Sequence, residues 1–290
     1  MPPRKPPSLL STILLVCLCC GLSSCAGLIT STVIKPAVGN LQQQQDIDLV
    51  CEGAPSYLLM LDSMLVSSPE NRDLLLIATQ SYSAYATALD ECGGSDLRIN
   101  AIATKARNYG KKLLQPLLAV DHDGGKQGYE ALDKHLAELD SDDVAEAFWG
   151  ASGWLTWILR EKGSPEAIAD IVAVEKIMAR CLELDEGYQA GSIHLFFGAY
   201  HAAKPEMFGG RPDLSANHFN RALALSKGRF LLIQTTYAAT LARTTMNRDL
   251  HDRLLNEALA FPLDSAPEFG LSNHIAVNRA KRLLAENYFD

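Results

Sequence analysis

From residue 46 to the C-terminus, apolar residues return every third or fourth position and nowhere settle into the two-residue alternation of a strand. Leu49, Val50, Gly53, Tyr57, Leu58, Leu61 and Leu65 form one stripe, and Leu74, Leu75, Ala78, Tyr82, Tyr85 and Leu89 form the next. Between them Ser68-Pro69-Glu70-Asn71 stops one helix and starts another. Later stripes predict helices at about 97–119, 143–160, 165–184, 188–203, 213–227, 230–244, 248–261 and 272–288. Most are separated by short turns bearing Pro or Gly, and the pairs recur at a spacing in the thirties. The expected fold is therefore all-α, an irregular tetratricopeptide-like helix-hairpin solenoid rather than a bundle. Its clearest unit is GYQAGSIHLFFGAYHAA followed by RPDLSANHFNRALALS, where Ser215, Phe219 and Ala222 give small residues flanking an aromatic that fills the gap to the next helix.

The first 24 residues read as a leader: Arg4 and Lys5, an apolar run from Leu9 to Leu22, then Leu22-Ser23-Ser24-Cys25. The run falls short of the roughly 20 residues a permanent membrane helix needs. Two small residues before a cysteine fit a lipobox, so Cys25 is the expected lipidation site and the membrane is reached through that anchor. Ala26 and Gly27, with no aspartate after the cysteine, favour the periplasmic face of the bacterial outer membrane, with inner-membrane retention as the alternative. Residues 25–45, with the Gln42–Gln45 run, read as a spacer, and 46–290 as one helical-repeat domain.

The chain carries a formal charge of −8, and about −10 once Arg4 and Lys5 leave with the leader. So acidic a body has no electrostatic footprint for nucleic acid and no basic face for anionic lipid. Beyond Cys25 the exported chain holds Cys51, Cys92 and Cys181, none in a CxxC pair. Cys51 and Cys92 fall near the same end of two consecutive antiparallel helices, which allows a disulfide or two buried thiols.

Four blocks, EGAPSYLLMLDSMLVSSPENRDLLLIATQSYSAY (52–85), AFWGASGWLTWI (147–158), FGGRPDLSANHFNRALALSKGR (208–229) and LSNHIAVNRAKRLLAE (271–286), resemble the TatT family in its own order. These are tetratricopeptide-type lipoproteins associated with tripartite ATP-independent periplasmic (TRAP) transporters. The resemblance implies a lipid-anchored solenoid enclosing an apolar channel or cavity, partnered with a TRAP-type solute-binding protein and serving a small apolar organic ligand. A homo-oligomer is compatible with it.

Helix 143–160 is apolar on both sides and so belongs between layers. Trp149, Gly153 and Trp157, at i, i+4 and i+8, read either as two aromatic walls around a slot for an apolar ligand or as a helix contact admitted by Gly153. Tyr57, Tyr82 and Tyr85 are polar-tipped aromatics that would orient a ligand or sit as core with hydroxyls at the rim, and Phe197 belongs to core or channel lining. His194 and His201, two turns apart, with His218 on the following helix, read as histidines bridging helices rather than as metal ligands. Asp121–Gly125 lacks the ligands of a calcium loop, and Asp140–Asp143 reads as a helix-capping cluster. No nucleophile, metal or cofactor motif stands out, so no catalytic residue, metal or cofactor is assigned. The expected function is a non-enzymatic accessory lipoprotein of a TRAP-type system. The alternative is an interaction scaffold without a small-molecule ligand, reading partners through a charged open groove.

Overall fold

The computed structural model describes residues 35–118, 126–161, 163–203 and 206–290. Cys25, the leader and Asp121–Gly125 lie outside the described residues. Twelve helices and no strand occur among them, as the periodicity requires: α1 (Lys35–Gln43), α2 (Ile47–Ser67), α3 (Arg72–Glu91), α4 (Asp96–Leu118), α5 (Lys126–Glu138) and α6 (Val144–Ile158) make the first half. The second half holds α7 (Pro165–Leu184), α8 (Tyr188–Ala202), α9 (Pro212–Ser226), α10 (Leu232–Tyr237), α11 (Arg248–Ala260) and α12 (Gly270–Ala285). Side chains start several of them: Asp46 accepts from the Leu49 N–H, Asn71 from Leu74, Ser164 from Ala167 and Asn247 from Leu250. Asp143, expected to cap α6, instead turns its carboxylate to the Asp140 N–H and leaves the helix N–H groups alone.

The apolar residues gather into three clusters in chain order, a stacking in which each hairpin rests on its neighbours. Leu271 and Ile275 of α12 belong to the first cluster, with α2 and α3. The end of the array thus returns to its beginning. Arg282 of α12 grips both carboxylate oxygens of Glu91 on α3 at 2.7 and 2.6 Å, and a Cβ on Gly270 would lie 2.5 Å from the Gln43 carbonyl oxygen of α1. Closure of this kind leaves a space where the two ends meet.

The expected spacer differs from what is observed. Its described part is α1, which packs on α12 with Val38 buried, so the folded body begins before residue 46. One docked apolar side carries the helix, too little periodicity to read over nine residues. Cys51 and Cys92 are joined in a disulfide that ties α2 to the end of α3, while Cys181 is a buried free thiol whose pKa burial pushes up to about 12. A disulfide suits an oxidising compartment.

Candidate functional site

Where α12 returns to α1 and α3 lies a half-open cavity of about 240 Å³. Helix α3 turns Gln80, Ser83, Ala84 and Thr87 toward it, an i, i+3, i+4, i+7 stripe of uncharged polar and small residues. Helix α6 gives Phe148, Trp149 and Thr156, and the chain entering α8 gives Gln189 and Ser192. Phe230 and Phe269, stacked with centroids 4.9 Å apart, come from the two segments that α12 brings back to the start of the array. Ser83 is 8% exposed, and its hydroxyl has no hydrogen-bond partner. The buried Trp149 indole N–H is turned toward the Tyr188 hydroxyl.

The Trp149, Gly153, Trp157 row does not stay on one wall. Each i+4 step turns about 40° around a helix of 3.6 residues per turn, so Trp157 lies about 80° from Trp149. Trp149 reaches the cavity; Gly153 and Trp157 reach the neighbouring helices. A Cβ on Gly153 would lie 2.6 Å from the Ala106 carbonyl oxygen of α4 and 2.6 Å from Thr79 Cγ2 of α3. Gly150 and Gly110 meet in the same seam, where a Cβ on Gly110 would be 2.6 Å from the Gly150 oxygen. Trp157 is buried beneath the Arg107 guanidinium, 3.8 Å from ring centroid to Cζ. Of the two readings of Gly153, the geometry carries helix contact.

The tyrosines are also placed outside this cavity. Tyr82 and Tyr109 donate to Asp62 Oδ1 at 2.8 and 2.6 Å, and Lys105 completes the group. Burial raises both phenols and Asp62 as acceptor raises them further; for Asp62 burial pulls upward, but the three donors outweigh it and hold its carboxyl low. Tyr85 has its hydroxyl between Arg98 and the Cys51 carbonyl. These are core residues with hydroxyls tied to a polar rim. Tyr57 lines a separate groove between α1 and α2, with Leu41, Leu49 and Val50. Phe197 stacks on His201 and His218 at 6.0 and 5.2 Å.

The histidines bridge helices, as expected: His194 Nδ1 lies 2.9 Å from His218 Nδ1, and its other nitrogen 3.3 Å from Glu186. Burial, then the charges of His194 and His201, push His218 down to about 4. In the same hairpin the small residues do what the spacing predicts. Ser215 donates to the Gly198 carbonyl at 2.7 Å, and Gly198 lies where a Cβ would be 2.8 Å from the Phe219 ring.

Sequence reasoning missed two features of the site. Gln189, Ala190 and Gly191 are consecutive residues in the left-handed region, φ 47°, 55° and 83°, at the start of α8. Only Gly191 hinted at this. The α3 stripe was readable as a polar row at helical spacing, but only closure by α12 makes it face a cavity.

The geometry now stands beside two comparisons. A family model described as TRAP transporter T-component (TAtT) matches residues 43–289, all the described body except most of α1. An uncharacterized protein of Treponema pallidum (strain Nichols) is 25% identical over 261 residues, covering 84% of this chain and 80% of that protein. The chain belongs to the TRAP transporter T-component family, and so is an accessory component of a TRAP transport system in the bacterial envelope.

Proposed function

We propose that this protein is a non-catalytic accessory lipoprotein, anchored through Cys25 at the periplasmic face of the outer membrane. It receives a small, largely apolar organic ligand in the half-open cavity and exchanges it with a docked TRAP-type solute-binding protein. The cavity carries the reading: Trp149, Phe230 and Phe269 offer aromatic surface, beside the uncharged polar side chains of Gln80, Ser83 and Thr87. Concave pockets with apolar walls and a few unmet polar groups suit small molecules. A scaffold reading peptides through a charged groove finds little support in a cavity whose one ionisable lining residue is Glu268, paired with Arg229 at 2.8 Å.

Docking draws support from α2. That helix buries Val50, Ala54, Leu58, Leu61 and Leu65 and leaves Leu59, Met60 and Val66 exposed, an apolar face suited to a protein partner.

Native mass spectrometry of gently purified protein tests the ligand. A small organic adduct is expected on the wild type and not on Ala84→Trp, whose indole would fill the cavity. An always-empty wild type that also leaves a TRAP solute-binding protein uncaptured would sink the proposal. Fatty-acid labelling of the wild type but not of Cys25→Ser checks the anchor.

A further inference from the structure

The cavity's polar groups carry a ligand class narrower than a small organic molecule, and the step rests on the cavity being a ligand site. The α3 side offers the amide of Gln80, the Ser83 hydroxyl and, as an acceptor, the Thr87 hydroxyl, whose proton goes to the Ser83 carbonyl at 3.1 Å; the α8 side offers Gln189 and, as an acceptor, Ser192. No Lys, Arg or His lines the cavity among the described residues, and Glu268 already holds Arg229. A carboxylate ligand would enter without a free counter-charge, a costly desolvation. A cation would find its carboxylate occupied. A hydrocarbon would cover the half-buried amide of Gln80 and give it no partner.

The backbone adds an independent observation. Residues other than glycine enter the left-handed region at a cost of about 1–2 kcal/mol each. Gln189 and Ala190 both do so, with φ 47° and 55°, where the chain meets the cavity. The Ser192 hydroxyl donates to the Gln189 carbonyl at 2.7 Å, so the turn is held in place. Strain of this kind concentrates where a side chain must be aimed at a ligand.

We propose that the cavity selects an uncharged small molecule with one apolar face and an amide or hydroxyl group, and rejects the isosteric carboxylate. The volume, about 240 Å³, equals roughly eight waters at about 30 Å³ each, room for one substituted ring.

Three probes of nearly one shape test it on the full chain at pH 7.5: benzamide, benzoate and toluene, with affinities from ligand-observed NMR titration. Benzamide should bind at least about tenfold more tightly than benzoate, and more tightly than toluene. The double variant Ser83→Ala/Gln80→Leu should weaken benzamide about tenfold and leave toluene within about threefold. Ala84→Trp should abolish all three; Thr87→Trp, at the exposed rim, replaces it if Ala84→Trp does not fold. Benzoate equal to or tighter than benzamide, or toluene tightest, with binding still blocked by the tryptophan variants, overturns the uncharged class and leaves the cavity as a ligand site. Absence of binding by every probe, or binding indifferent to both tryptophan variants, overturns the proposal and the ligand site together.

Discussion

Toward α3 and α4, helix α6 presents Gly150, Gly153 and Trp157; toward the cavity it presents Trp149 and Thr156. In the seam, backbones approach so closely that a single Cβ has no room, and Ala103, Ala106, Ala147 and Ala151 are fully buried around it. On the cavity side the same helix sets Trp149 and Thr156 beside open space. Fifteen residues of one helix therefore combine interior packing at its tightest with a surface left incomplete. The seam fixes where α6 stands, and the cavity uses that position. Substitutions should consequently be tolerated very differently on the two faces.

The sharpest break would come at Gly153. Gly153→Leu forces a side chain into the Ala106 carbonyl of α4, which is backbone and cannot step aside. Loss of more than about 4 kcal/mol, or failure to fold, is expected by urea unfolding followed by circular dichroism. Ala84→Leu, the same kind of enlargement on the cavity side, should cost less than about 1 kcal/mol. Equal losses in the two variants would erase the contrast.

Removing the disulfide probes a region distant from both faces. Cys51 and Cys92 are separated by 41 residues, and closing a loop of that length in the unfolded chain is worth about 4 kcal/mol in the chain-entropy treatment. A Cys51→Ser/Cys92→Ser chain should unfold at a lower urea midpoint by that order while keeping its benzamide affinity. If affinity falls with stability, the cavity is not independent of the α2–α3 tie.

Much of this division was legible in the chain, and the rest was hidden for identifiable reasons. Helix α7 begins and ends where periodicity, Ser164 and Pro165 place it. The double-sided apolar pattern of α6 did announce a helix between layers. What the wheel could not decide was which wall each aromatic reaches, because drift of the row separates Trp149 from Trp157. Helix α5 escaped detection because, from residue 131 onward, Leu132 and Leu136 are the only large buried residues that it shows. The cavity was hidden for a different reason. It exists because Arg282 meets Glu91 and Gly270 meets Gln43, contacts across most of the chain that no local pattern encodes.

Acid should act on the second half of the molecule, and modestly. Folded His218 is pushed down to about 4 by burial and by His194 and His201, whereas in the unfolded chain it titrates near 6.5. The unfolded state therefore takes up the proton first as pH falls below about 6.5, and stability drops until about pH 4, where folded His218 protonates too. His194 and His201 are lowered by burial as well and add to the same window. Glu186, held down to about 2 by Arg221 and His194, gives up its contribution from about 4.5 downward, at the acid end of that window and below it. The wild type should lose on the order of 2 kcal/mol between pH 6.5 and 4, after solvent screening. His218→Gln should flatten that slope in urea titrations at stepped pH, with Ala84→Leu unaffected in slope.

Ser83 gives the smallest effect and the most direct reading of the cavity face. Its hydroxyl is buried without a partner, a cost of about 1–3 kcal/mol that the fold carries while the cavity is empty. Ser83→Ala removes the unmet group without adding volume, on a helix where alanine is the better former. The ligand-free variant should therefore be about 1 kcal/mol more stable than wild type, read as a higher urea midpoint at unchanged slope. In the presence of saturating benzamide the order should reverse, because only the wild type gains the bond that Ser83 supplies. A destabilised ligand-free variant would mean that Ser83 is satisfied within the protein, and the distinction between a finished seam and an unfinished cavity would lose its strongest residue.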